Sequence, residues 1–122
     1  MKRLPDAEFD VMQAVWVLDG PCTAAQIAAQ LPKDREWRVQ TVITLLSRLV
    51  DRGFLHTEKR GKERTYSPLI EKETYLQFET GNFIRQYHGN SVSSFVSTLY
   101  GGEGISDEDA AELMRWLTER KG

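Results

Sequence analysis

Three amphipathic helical segments, then two short β-rich stretches joined by a basic, Gly-containing turn, then a second run of helical periodicity: this order predicts a mainly α chain. The fold class expected is a winged helix-turn-helix, three helices plus a β-hairpin wing over residues 1–70, followed by a C-terminal helical dimerisation element over residues 71–122.

The first helix is expected from about Pro5, since Pro suits a first turn and Asp6 and Glu8 favour the positive end of the helix dipole. Phe9, Met12, Val15 and Trp16 recur at three- and four-residue steps, which places one face in a core; Asp19-Gly20-Pro21 ends the helix. Thr23-Ala24-Ala25-Gln26 has the form of a capping box, with Cys22 and Ile27 as the matching hydrophobic staple, so a second helix runs from Thr23 to Gln30 and closes before Pro32. The third helix is expected from about Arg38 to Asp51, with Val39, Val42, Leu45, Leu46, Leu49 and Val50 on a buried side and Gly53 as its stop. Phe54–Lys59 and Arg64–Pro68 read as strands around the turn Arg60-Gly61-Lys62-Glu63, with Pro68 confining the second strand to an edge or its end.

From Glu71 the pattern is helical again. One helix carries Tyr75, Leu76, Phe78 and Phe83 and is interrupted or ended at Gly81 or Gly89; a second carries Val92, Phe95, Val96 and Leu99. After the Gly101-Gly102-Glu103-Gly104 loop, Ser106 caps a last helix with Asp107, Glu108 and Asp109 in its first turn and a buried stripe of Ala110, Leu113, Trp116 and Leu117. The winged-helix part can bury most of its own apolar positions. Val92, Phe95, Val96, Leu99, Leu113, Trp116 and Leu117 therefore need another surface, and in so short a chain a second copy supplies it.

Bulk composition narrows the function. The chain is net −2, yet residues 33–64 hold nine basic against five acidic side chains, a local +4. A hydrophobic content of 40% is that of a globular protein. No apolar run is long enough for a membrane span, and the basic start is followed at once by Asp6, Glu8 and Asp10, unlike a signal peptide, so a cytoplasmic location is expected. Cys22 is the only cysteine, which excludes an intrachain disulfide and a Cys-rich metal site. No Gly-rich phosphate loop, Ser/His/Asp arrangement or metal-spaced set stands in the chain, so neither an enzyme nor a cofactor is expected; His56 and His88 read as structural or exposed, and Trp16, Trp37 and Trp116 as core or interface aromatics.

The chemistry lies on the third helix and the hairpin. Opposite its apolar side that helix collects Gln40, Thr41, Thr44, Ser47 and Arg48, with Arg38 at its start: hydroxyl, amide and guanidinium groups suited to base edges and phosphates. Lys59, Arg60, Lys62 and Arg64 on the wing suit the flanking backbone or the minor groove. Two plainer readings stand beside this one, an ordinary solvated helix and a hairpin that uses charge to protect its edges. At the level of function, the rival to a DNA-binding protein is a winged-helix protein–protein module without DNA affinity.

Ala7-Glu8, Val11-Met12 and Trp16, the run Trp37–Leu49, Gly53-Phe54-Leu55 and Tyr66-Ser67-Pro68 together resemble the penicillinase and methicillin-resistance repressor family. The resemblance covers roughly residues 4–70 and extends more loosely to the C-terminus. It implies a transcriptional repressor that binds a pseudo-palindromic operator as a homodimer, with Gln40, Thr41, Thr44 and Arg48 at the matching DNA-contact positions. Antibiotic-sensing members are released by a protease that cuts an Asn-Phe bond in the dimerisation region; the similar position here holds Thr98-Leu99. The paired Cys-x-Cys motifs of copper-responsive relatives are missing from this sequence.

Overall fold

A computed structural model describes residues 1–121. Its elements run α1 (Asp6–Leu18), α2 (Ala24–Gln30), α3 (Val39–Asp51), β1 (Leu55–Arg60), β2 (Glu63–Pro68), α4 (Lys72–His88), α5 (Val92–Gly101) and α6 (Asp107–Lys121). They divide into two compact units, Met1–Glu79 and the remainder from Thr80.

The first unit is a three-helix core closed by a hairpin. Val11, Met12 and Val15 of α1, Ile27 of α2, and Val42, Leu46 and Leu49 of α3 are fully buried, together with Leu55 of β1. The Thr23 capping box forms as the sequence implies: Gln26 N–H donates to the Thr23 hydroxyl at 3.2 Å, and Thr23 N–H donates to the Gln26 side chain at 2.9 Å. Cys22 is buried and exchanges backbone hydrogen bonds with Tyr66 at 2.9 and 2.8 Å, so the segment entering α2 borders the wing as a one-residue third strand. Burial pushes the Cys22 thiol pKa up, which keeps it protonated and unreactive. β1 and β2 pair antiparallel from Leu55↔Pro68 to Arg60↔Glu63, which leaves Gly61 (φ 64°) and Lys62 as a two-residue turn, tighter than the four-residue connection expected.

Tyr75, on the first turns of α4, completes this unit. Its ring is fully buried among Phe9, Trp16, Phe54 and Phe78, with centroids 5.6–6.2 Å away. Its hydroxyl accepts from the Leu4 N–H at 2.8 Å and donates to Glu79, which also pairs with Arg3 at 2.6 Å. Trp16 Nε1 donates to the Ile70 carbonyl at 3.0 Å. These contacts tie the first turns of α4 into the unit that runs from Met1 to Glu79.

In the second unit, Gly81 does not break α4, which ends where Gly89 adopts φ 57°. Phe83, His88 and Phe95 cluster, with Phe95 edge-on to the other two rings, and His88 Nδ1 lies 3.0 Å from the Ser94 hydroxyl. Ser91 caps α5, and Ser106 caps α6 in a reciprocal pair with Asp109 at 3.0 and 3.2 Å. The expected buried stripe of α6 is only half realised. Ala110 and Leu113 are half-buried, whereas Trp116 and Leu117 are exposed, because one copy of this unit has too few elements to cover both sides of a helix.

Candidate nucleic-acid interface

The third helix is amphipathic in a particular way. Val42, Leu45, Leu46 and Leu49 anchor it in the core, while Gln40, Thr41, Thr44, Ser47 and Arg48 are all exposed, as is the N-cap Arg38. The first turn holds no acidic side chain, so its unpaired N–H groups and Arg38 present only positive potential. The Thr44 hydroxyl donates back to the Gln40 carbonyl at 3.1 Å, a weak internal bond that it can exchange for an outside acceptor.

Two features fix where α3 points. Gly53 (φ 82°) takes the left-handed turn after the helix and lets Phe54 N–H reach the Leu49 carbonyl at 2.9 Å. Next to it, Arg52 Nε meets Glu8 Oε1 at 2.7 Å, and the Glu8 side chain is only 3% exposed. A carboxylate buried in α1 thus holds the C-terminal end of the helix through a charge-assisted bond. At the other end, Arg35 pairs with Asp10 at 2.9 Å and lies 4.9 Å over the Trp37 ring, which steadies the loop leading into α3. Neither pair was anticipated from sequence; an acid on the apolar side of the first helix, beside Val11 and Met12, was the available signal.

Val39 corrects the sequence reading. It was placed on the buried side, but it is 46% exposed, because the first residue of α3 projects beyond the end of the core. Ile43, one turn further along, is half-buried at the mouth of a groove of about 340 Å³ between α3 and the hairpin, beside Ser47, Thr57 and Arg64.

On the wing, Lys59, Arg60, Lys62 and Arg64 are all exposed. Arg60 lies 3.7 Å from Glu58, whose other oxygen is 3.1 Å from His56 Nε2; the His56 bond and charge, and then Arg60, hold the Glu58 carboxyl below its usual range. Arg64 donates to the Thr57 hydroxyl at 3.2 Å. The register sets Lys59 directly across from Arg64. Like charges on opposed positions weaken a hairpin, so this pair works against the fold and suits an external anion. Among the described residues no group of His, Cys, Asp and Glu is arranged for a metal ion. Nor, among the described residues, is any helix long and apolar enough to cross a membrane.

A family model described as "Penicillinase repressor" matches residues 4–119. The chain belongs to the penicillinase repressor family. Its members are DNA-binding transcriptional repressors, which is not a class of enzyme. The penicillinase repressor of Bacillus licheniformis is 28% identical over 99% of this chain and 96% of its own length. The methicillin resistance regulatory protein MecI of Staphylococcus aureus (strain N315) is 27% identical over 97% and 95%. Among solved structures, the DNA-binding domain of the repressor BlaI is 31% identical with a TM-score of 0.51, covering 62% of this chain and 94% of that one. The Bacillus licheniformis BlaI monomeric form in complex with the blaP half-operator is 30% identical with a TM-score of 0.50, covering 61% and 89%.

The residues expected at a dimer interface fall into two groups. Val92, Trp116 and Leu117 are exposed, and Val96 and Leu113 line, with Tyr100, an apolar groove of about 740 Å³ between α5 and α6. Phe95 and Leu99 are half-buried within the unit, Phe95 against Phe83 and Leu99 against Gly104. Tyr100 and Met114, 52% and 69% exposed, extend this surface and were not anticipated.

Proposed function

We propose that this repressor binds a pseudo-palindromic operator in the cytoplasm as a homodimer, reading bases with α3 and gripping flanking phosphates with the wing, and represses by occluding the promoter. The observation that carries the DNA contacts is the Lys59–Arg64 cross-strand pair beside an exposed helix face of Gln40, Thr41, Thr44, Ser47 and Arg48. A hairpin that protects its edges by charge has no need to oppose two cations, and a solvated helix commonly carries Glu and Lys pairs. Phosphate oxygens relieve the first arrangement, and base edges use the second. The similar BlaI protein in complex with a half-operator is consistent with this assignment.

The homodimer is supported by the apolar groove between α5 and α6 and by the exposure of Val92, Trp116 and Leu117, a surface that a second copy can cover symmetrically. Derepression by a regulatory protease acting between Thr98 and Leu99 belongs to the same reading. Both residues lie inside α5, where the Thr98 hydroxyl donates to the Ser94 carbonyl at 2.8 Å, so the helix has to open before a protease can cut.

The test is selection of genomic fragments with purified full-length protein, followed by binding measurements over a range of salt concentrations. Tight, salt-dependent binding to a limited set of fragments with two-fold symmetric sites is expected. Binding that is absent, or indifferent to salt, overturns the reading in favour of a protein–protein module.

A further inference from the structure

We infer that Val39 and Ile43 form an apolar edge of α3 that selects thymine C5-methyl groups in the operator half-site; the inference rests on the DNA-binding reading above. Every other apolar side chain of α3 belongs to the core: Val42, Leu45, Leu46 and Leu49 are buried in it, and Val50 packs against it. Val39 and Ile43 do not. They lie one turn apart on the same flank, about 40° around the helix axis from each other. Ile43 lines the groove shared with the wing, and Val39 stands one turn before it, exposed at the start of the helix.

Folding offers no reason for the exposed Val39, and for Ile43 only half-burial in the groove that Val50 and Tyr66 also line. An exposed β-branched side chain restricts its own rotamers in a helix and is a weaker helix former than the Ala, Gln or Lys that could stand there. DNA offers one. The N-terminal half of a recognition helix is the part that approaches base edges, and the apolar feature of the major groove is the thymine methyl. Gln40 and Thr44 alongside supply hydrogen-bonding groups, so the edge adds a distinction that polar groups make poorly: T·A from its methyl-free equivalent.

The experiment uses duplexes selected by the full-length protein, with each thymine of a half-site replaced singly by deoxyuridine, which deletes only the methyl group. For the wild-type protein, affinity is expected to fall about fourfold at one or two thymines per half-site, the factor that burial of one methyl-sized group gives. In Val39→Ala the thymine-to-deoxyuridine ratio should drop to near one at one of these positions, and in Ile43→Thr at the neighbouring one. The slope of log affinity against log salt should stay unchanged, since no phosphate contact is lost. Val39 is exposed on the first turn, so its variant should melt like the wild type, and it decides the matter if Ile43→Thr folds poorly. Undiminished ratios in Val39→Ala, or no methyl dependence in the wild type, overturn the inference and leave the operator reading intact. Failure to select any duplex removes both.

Discussion

Replacing Tyr75 by Phe removes one oxygen atom from the most enclosed aromatic side chain of the first unit and leaves its ring in place. In the wild type that oxygen accepts from the Leu4 N–H at 2.8 Å and donates to Glu79. Its loss strands a buried N–H, which costs about 1–3 kcal/mol. The same hydroxyl gives an independent signature. Burial first, and then the bond to Glu79, push the Tyr75 pKa up from 10.0 to about 12. An acid whose folded-state pKa exceeds its unfolded value contributes stability that is complete below pH ~10 and is lost as pH rises toward ~12. A shift of about two units corresponds to roughly 2.7 kcal/mol at most. Denaturant unfolding followed by circular dichroism from pH 7 to 12 should therefore show Tyr75→Phe less stable at neutral pH, with the gap to wild type narrowing through pH 10–12. Parallel pH profiles for the two proteins, with a constant gap, would refute the assignment of the hydroxyl as a buried, doubly engaged group.

The DNA-facing residues separate by class. Thr44→Ala or Arg48→Ala should cost about 1–3 kcal/mol on a cognate duplex and little on random sequence, as measured by fluorescence anisotropy; equal losses on both would move these residues to backbone contacts. Neutralising Lys59, Arg60 and Lys62 together should weaken binding to all sequences and flatten the log affinity against log salt slope by roughly 0.9 for each phosphate contact removed. A chain ending at Glu79 should fold and sediment as a monomer with weak operator affinity, whereas one ending at Ile70 lacks Tyr75 and should unfold at much lower denaturant. Limited proteolysis with a nonspecific protease should cut first in the 102–105 loop, ahead of Thr98–Leu99 inside α5, as read by mass spectrometry.

Much of this architecture was legible in the chain because its signals are local. The Thr23–Gln26 capping box, the Gly53 stop and the three- to four-residue spacing of Val42, Leu45, Leu46 and Leu49 each act within one or two helical turns, and each forms as read. The polar face of α3 and the basic wing were legible for the same reason, since helical and strand periodicities dictate which residues share a side. What only the tertiary structure decided involves partners far apart in sequence. Glu8 and Arg52 are 44 residues apart, and Leu4 and Tyr75 are 71 apart. No periodicity encodes such meetings, yet they set the end of the first unit and the position of α3. Tertiary packing also separated Val39 from the core. Its angular position matched the buried face, but the core ends one turn short of it, and how far a core extends along a helix depends on what the rest of the chain packs against that helix.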